Sequence, residues 1–175
     1  REGFDYDLVL VSAPAGFGKT TLLFEWARQD RLTARTGWLS LDEGDNEPAI
    51  FIAYIIAALQ SIHPGIGASL LGALRSAQPP SAESSLTALV NEISALGGDF
   101  VLVLDDYHLI DAKAVDSAVA FLLEHMPAHV HVVIATREDP RLPLAQMRAR
   151  GQLGEVRLAE LRFTSSEAAE FLNSM

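Results

Sequence analysis

The sequence contains no cysteine, and it carries few positive charges for its 175 residues. The lack of cysteine excludes a disulfide framework and any metal site built on thiolates, which is consistent with a reducing cytoplasm. Lys and Arg number 13 against 23 Asp and Glu, which gives a formal net charge of −10. Because affinity for a phosphate backbone comes largely from Lys and Arg, any DNA binding by the full protein is expected to lie outside this chain.

Long apolar runs are also missing. The longest, Ala49 to Leu59, is shorter than the ~20 residues that a membrane-spanning helix needs. The first residues, REGFDYD, lack the charged-then-apolar layout of a signal peptide. We therefore expect a cytoplasmic protein with no membrane partner, long enough to bury one substantial core.

Two kinds of apolar segment alternate along the chain, and the alternation predicts a parallel sheet with helices on both faces. The short continuous runs are typical of buried strands: Leu8–Ser12, Gly37–Leu41, Phe100–Leu104, Val130–Ala135 and Glu155–Leu158. The helical patterns are Lys19–Gln29, Pro48–Ser61, Ser84–Leu96, Ala114–His125 and Leu144–Arg150, and a short helix is expected at Ser69–Arg75.

Local signals also suggest where some helices begin. Asp45 or Asn46 is expected to cap the second helix, and Pro48 suits its first turn because the missing N–H costs nothing there. Thr164 and Glu167 form a capping box that would start a further helix at Ser165. We therefore expect a nucleotide-binding domain over residues 1–160 and the start of a truncated helical subdomain over 161–175.

The stretch SAPAGFGKTT, from Ser12 to Thr21, predicts a phosphate-binding loop between the first strand and the first helix. In such a loop, successive backbone N–H groups and the positive end of the helix dipole face one spot. Lys19 would reach the β- and γ-phosphates, and the Thr20 hydroxyl would bind Mg²⁺. The pattern's first glycine is replaced by Ala13, where a negative φ should be acceptable. The candidate nucleotide-binding residues are Ala13, Pro14, Ala15, Gly16, Phe17, Gly18, Lys19, Thr20 and Thr21.

Two carboxylates, Asp105 and Asp106, follow the strand FVLVL. Ligands in parallel sheets lie beyond the carboxyl ends of the strands, so Asp105 is expected to hold Mg²⁺ through water, opposite Thr20. Asp106 stands where fast ATPases commonly carry a glutamate that activates the attacking water. Aspartate is one methylene shorter, which favours slow hydrolysis. Simpler alternatives stay open: Asp105 only opens a turn, and Asp106 is a solvated partner of Arg137 or a capping group.

Arg137 follows the strand VHVVIAT and is the third candidate catalytic residue. An arginine there could contact the γ-phosphate and so distinguish ATP from ADP, or stabilise developing charge. The alternative is a surface arginine paired with Glu138 or Asp139, which would contribute little. The five histidines show no metal-ligand spacing.

Taken together, SAPAGFGKTTLL, WLSLDEGDNEP, FVLVLDDYHLI, VIATREDPRLPLAQMRARGQL and LRFTSSEAAEFL resemble the nucleotide-binding domain of MalT-like regulators. These are large ATP-binding transcriptional regulators of the LuxR type, in the STAND class of P-loop NTPases. The resemblance implies a three-layer α/β P-loop fold with a parallel five-stranded sheet in the order 5-1-4-3-2. It also implies ATP or ADP with Mg²⁺ as cofactors, nucleotide-controlled self-association, and DNA binding by a separate helix-turn-helix domain.

Two other functions stay open at this stage. The first is a fast P-loop ATPase or a small-molecule kinase. Asp106 in place of glutamate argues against the fast ATPase, and the lack of an Arg-rich lid segment argues against the kinase. The second is a structural adaptor that keeps the fold but binds no nucleotide. The residues do not read a base, so adenine rests on the resemblance alone.

Overall fold

A computed structural model describes residues 6–28 and 35–157. Five strands form one parallel sheet: β1 (Leu8–Ser12), β2 (Arg35–Ser40), β3 (Phe100–Asp105), β4 (Val130–Thr136) and β5 (Leu153–Arg157). Their order is β2-β3-β4-β1-β5, which confirms the predicted order, written from the other edge. The six helices in these residues are α1 (Lys19–Ala27), α2 (Pro48–Gln60), α3 (Ala68–Leu74), α4 (Ala82–Ser94), α5 (Lys113–His125) and α6 (Leu144–Ala149).

Strand alternation divides the core into two layers. Successive side chains of a strand point to opposite faces of the sheet, so Leu8 and Leu10 pack on one face and Val9 and Val11 on the other. The first face carries the larger cluster, together with the buried sides of α2 to α6. The second face packs against α1 through Leu22, Leu23 and Trp26. The fold is therefore a three-layer α/β sandwich, as predicted.

The central strands are buried along their whole length, which explains their continuous apolar sequences. The predicted bounds are most accurate there and shift by one or two residues elsewhere. Both edge strands, β2 and β5, start two residues earlier than predicted. Leu158, the Thr164–Glu167 capping box and the expected subdomain at 161–175 lie outside the described residues. No helix in the described part of the chain is long and apolar enough to cross a membrane.

The predicted cap of α2 is wrong. The N-cap is Glu47, with no side-chain hydrogen bond to the helix. The reason is a short 3-10 helix, Glu43–Asn46, which comes between β2 and α2. Asp45 accepts a hydrogen bond from the Asp42 backbone N–H (2.8 Å) to close this turn, and Asn46 bonds instead to the segment after β3. Only Pro48 has its expected role at the start of α2.

Candidate phosphate-loop site

The loop between β1 and α1 curls at the carboxyl end of the sheet. It leaves β1 at Ser12, and the Ala13 N–H donates to the Thr136 carbonyl at the end of β4 (3.2 Å). Gly16 and Gly18 have φ of 84° and 72°, a left-handed backbone that other residues rarely adopt. Ala13 is not among the residues with positive φ, so alanine fits there without strain.

Lys19 begins α1, and its side chain folds back into the loop. Its exposed fraction is 7%, and Nζ donates hydrogen bonds to the carbonyls of Ala13 (2.7 Å) and Pro14 (3.2 Å). Burial lowers the pKa of Lys19; Asp106 and Asp105 oppose this shift, while the Arg137 charge adds to it. The loop thus surrounds the Lys19 ammonium, while most residues of the loop itself are exposed.

The two acids lie at the end of β3 on the same side of the sheet. Asp105 is 2% exposed, and one of its carboxylate oxygens accepts from the Asp106 N–H (3.0 Å). Burial raises the pKa of Asp105, whereas a hydrogen bond from the Thr20 side chain acts to lower it. The structure therefore brings Thr20, in the first turn of α1, together with the β3 carboxylate.

Asp106 differs from Asp105 in both backbone and exposure. Its φ of 57° and ψ of 36° are left-handed, and it is the only non-glycine residue with positive φ in the described ranges. Its side chain is 45% exposed, and Oδ1 lies 3.8 Å from His108 Nδ1. A carboxylate in this position is accessible to solvent while standing beside the buried acid.

His108 is a residue of this site that the sequence reasoning missed. Its side chain is 9% exposed, and neither ring nitrogen has a hydrogen-bond partner in the described residues. Burial is the main cause that lowers the pKa of His108, and the positive charges of Arg137 and Lys19 act in the same direction. Its spacing from other histidines gave no signal. Only its position three residues after Asp105 could have drawn attention to it.

Arg137 follows β4 and is exposed beside the same site. Its charge lowers the pKa of both Lys19 and His108, which places the guanidinium near these two side chains. Among the described residues, Arg137 forms no ion pair with Glu138 or Asp139, and Asp139 pairs with Arg157. Lys19 thus interacts electrostatically with Asp105, Asp106 and Arg137.

These side chains fit a magnesium nucleotide better than a bare metal ion. In the described residues there is no group of three or more His, Cys, Asp or Glu side chains that could hold a metal. Thr20 and Asp105 offer only oxygen, the donor that Mg²⁺ prefers, and Mg²⁺ usually completes its shell with phosphates and water. A buried carboxylate whose pKa is raised by burial is also one that a cation would stabilise.

Asp105→Asn is expected to make the ligand-free protein more stable at neutral pH. The raised pKa means that folding favours the protonated carboxyl. The contribution of this carboxyl to the free energy of unfolding is therefore greatest below its pKa in the unfolded chain, about 3.9. It is lost as the pH rises through the pKa in the folded protein. Asparagine stays neutral and keeps an oxygen for the Asp106 N–H. Thermal melts should show the variant melting above the wild type at pH 7, with the gap closing near pH 4.

The exposed Asp99, in the loop before β3, provides the matched control. Asp99→Asn should leave the melting temperature almost unchanged at both pH values. If Asp105→Asn melts below the wild type at pH 7, the buried carboxylate does not lower the stability of the protein at neutral pH.

The strand order and the loop between β1 and α1 define a P-loop NTPase fold, which implies nucleotide binding. A family model described as AAA ATPase domain matches residues 1–135. The chain belongs to this AAA ATPase domain family.

Curated relatives extend the comparison beyond the family. The chain is 40% identical over 169 residues to the HTH-type transcriptional regulator MalT of Cronobacter sakazakii, covering 97% of this chain. It is 38% identical, over the same share, to the protein of that name from Klebsiella pneumoniae. The predicted resemblance to MalT-like regulators is thereby confirmed. The chain spans only 18% of the length of these relatives.

Solved structures share the fold at low sequence identity. Cdc6p from Pyrobaculum aerophilum superimposes with a TM-score of 0.57 and 18% identity, over 97% of this chain and 44% of that one. The Orc1 protein of Aeropyrum pernix, solved in complex with DNA, gives 0.53 and 20% identity, over 94% and 44%. At these identities the likeness concerns the fold alone.

Proposed function

We propose that this domain binds ATP or ADP with Mg²⁺ and acts as a nucleotide-controlled switch in a LuxR-type transcriptional regulator. The observation that carries the proposal is the Lys19 ammonium, buried at the base of a glycine-containing loop and near Asp105 and Asp106. Self-association of the regulator would follow the nucleotide state. DNA binding would belong to a helix-turn-helix domain outside this chain, in keeping with the net charge of −10.

Each residue of the site has a role in this proposal. Backbone N–H groups from Ala15 to Thr21 and the Lys19 ammonium would bind the phosphates, and Thr20 and Asp105 would hold Mg²⁺. The metal would neutralise charge on the phosphate oxygens. Asp106, half exposed beside Asp105, would orient the attacking water and accept its proton. Arg137 would contact the γ-phosphate.

The rate of ATP hydrolysis distinguishes a nucleotide-controlled switch from a fast ATPase. The short Asp106 side chain holds a water less closely than glutamate would, so turnover should stay well below the ~10 s⁻¹ of a typical enzyme. Multiple-turnover ATP hydrolysis by the full-length regulator measures this. Fewer than about one turnover per second supports the switch, whereas tens of turnovers per second would contradict it.

Arg137→Ala is expected to remove the preference for ATP over ADP. A hydrogen bond between charged groups contributes about 1.5–3 kcal/mol, so ATP affinity should fall roughly 10- to 100-fold while ADP affinity stays near the wild-type value. Calorimetric titration with each nucleotide gives both constants. Arg75→Ala changes an exposed arginine at the end of α3 and serves as the control. If the ATP/ADP ratio is the same in Arg137→Ala as in wild type, Arg137 has no sensor role.

A further inference from the structure

The segment after β3 adopts a conformation that needs support. Asp106 is left-handed, and a 3-10 helix, Tyr107–Leu109, follows at once. A non-glycine residue in this region costs free energy, and the conformation persists only where the surroundings hold it. The internal hydrogen bonds are few: the Leu109 N–H donates to the Asp106 carbonyl and the Ile110 N–H to the Tyr107 carbonyl, both at 3.0 Å.

Asn46 supplies support from the loop after β2. Its Oδ1 accepts hydrogen bonds from the N–H groups of Asp111 (2.7 Å) and Ala112 (2.8 Å). Its Nδ2 donates to the Leu109 carbonyl (3.1 Å) and to the Glu43 carbonyl in its own turn (3.1 Å). One amide thus joins two loops that are 63 to 66 residues apart in the sequence.

A second anchor holds the other side of the same segment. The Tyr107 hydroxyl donates to Asp116 on α5 (2.9 Å), and Arg141, from the loop after β4, donates to the Asp111 carbonyl (3.0 Å). Removing Asn46 therefore leaves the segment attached through Tyr107 and Arg141. The expected result is a loosened segment in a folded domain.

We infer that Asn46 is a positioning residue that fixes the segment after β3 and thereby the placement of Asp106 at the phosphate-loop site. This inference rests on the proposed function, in which Asp106 orients the attacking water. Asp106 also donates its N–H to Asp105, so a shift of the segment reaches both acids. Because a displacement of about 1 Å can lower a rate by about 100-fold, a single distant amide can matter for hydrolysis.

The test compares Asn46→Ala with Gln60→Ala in the full-length regulator. Gln60 makes a similar amide-to-backbone bond, from Nε2 to the Ile66 carbonyl (2.8 Å), at the far end of α2. Single-turnover hydrolysis, Mg-ATP affinity and backbone hydrogen exchange are measured for each protein. Asn46→Asp is a milder variant, since it keeps the oxygen for Asp111 and Ala112 and loses the donor to Leu109.

The inference predicts a selective loss. Asn46→Ala should lower the hydrolysis rate about 10- to 100-fold, with Mg-ATP affinity retained. The amides from Leu109 to Ala112 should exchange faster. Asn46→Asp should act in the same direction with a smaller effect, and Gln60→Ala should change neither the rate nor the exchange of this segment.

Other outcomes overturn the inference in distinguishable ways. Unchanged exchange in both Asn46 variants would show that Asn46 does not hold the segment. If the segment exchanges faster in the Asn46 variants but they hydrolyse ATP as fast as Gln60→Ala does, Asn46 has a structural role only. A wild-type regulator that does not bind or hydrolyse ATP would contradict the proposed function itself, and the inference with it.

Discussion

Lys19→Ala should abolish the stabilisation of this protein by Mg-ATP. A ligand at about 100 times its dissociation constant stabilises the folded state by about 2.7 kcal/mol, which is roughly 5–10 °C in melting temperature for a domain of this size. The variant should show no such shift in melting temperature, because the Lys19 ammonium is the positive charge that would bind the phosphates. Thermal melts with and without Mg-ATP measure the difference.

The ligand-free Lys19→Ala protein should stay folded. Burial lowers the pKa of Lys19, so the charged ammonium in the folded loop does not add to stability. Lys113, the other lysine of the sequence, is exposed at the start of α5 and supplies the control. Lys113→Ala should keep the full Mg-ATP shift. A Lys19→Ala protein that also keeps it would remove the phosphate-binding role of this residue.

Asp106→Asn should have the largest effect on hydrolysis. General-base catalysis typically contributes about 10²- to 10⁴-fold, and asparagine cannot accept the proton. Asparagine does tolerate a left-handed backbone, so φ of 57° is no obstacle to folding. Single-turnover measurements should therefore show a rate that is lower by about this factor, with Mg-ATP affinity preserved.

Asp106→Ala helps to separate chemistry from backbone strain. Alanine removes the same carboxylate but is less suited to positive φ, so it should lower stability as well as hydrolysis. The asparagine variant should match the wild type in melting temperature. If Asp106→Asn hydrolyses ATP at the wild-type rate, this carboxylate does not act as the base.

The parts of the fold that could be predicted from sequence are those that local pattern controls. The buried strands β1, β3 and β4 are continuous apolar runs with clear ends, and β1 agrees with its predicted bounds. β5 begins two residues before the predicted start at Glu155, because Gly154 interrupts the apolar pattern. Gly154 lies under the ring of Tyr6, where a Cβ would come within 2.9 Å of a ring atom. That packing cannot be predicted from the residues next to Gly154, because Tyr6 is far from it in the sequence.

The site shows the same division. The loop and both acids could be predicted as candidate site residues because a strand before a helix, or an acid after a strand, is a local feature. The prediction that Asp45 or Asn46 caps α2 is wrong because nothing near Asn46 in sequence indicates its bonds to Leu109, Asp111 and Ala112. His108 gives no signal in the sequence because its burial and its 3.8 Å approach to Asp106 depend on the fold. Such long-range contacts depend on how the loops meet at the sheet edge.

Calorimetric titration of the full-length regulator with Mg-ATP tests the central claim most directly. The account predicts one saturable site per chain, with binding that is lost in Lys19→Ala and retained in Asp106→Asn. An absence of binding to the wild-type protein at millimolar Mg-ATP would contradict it.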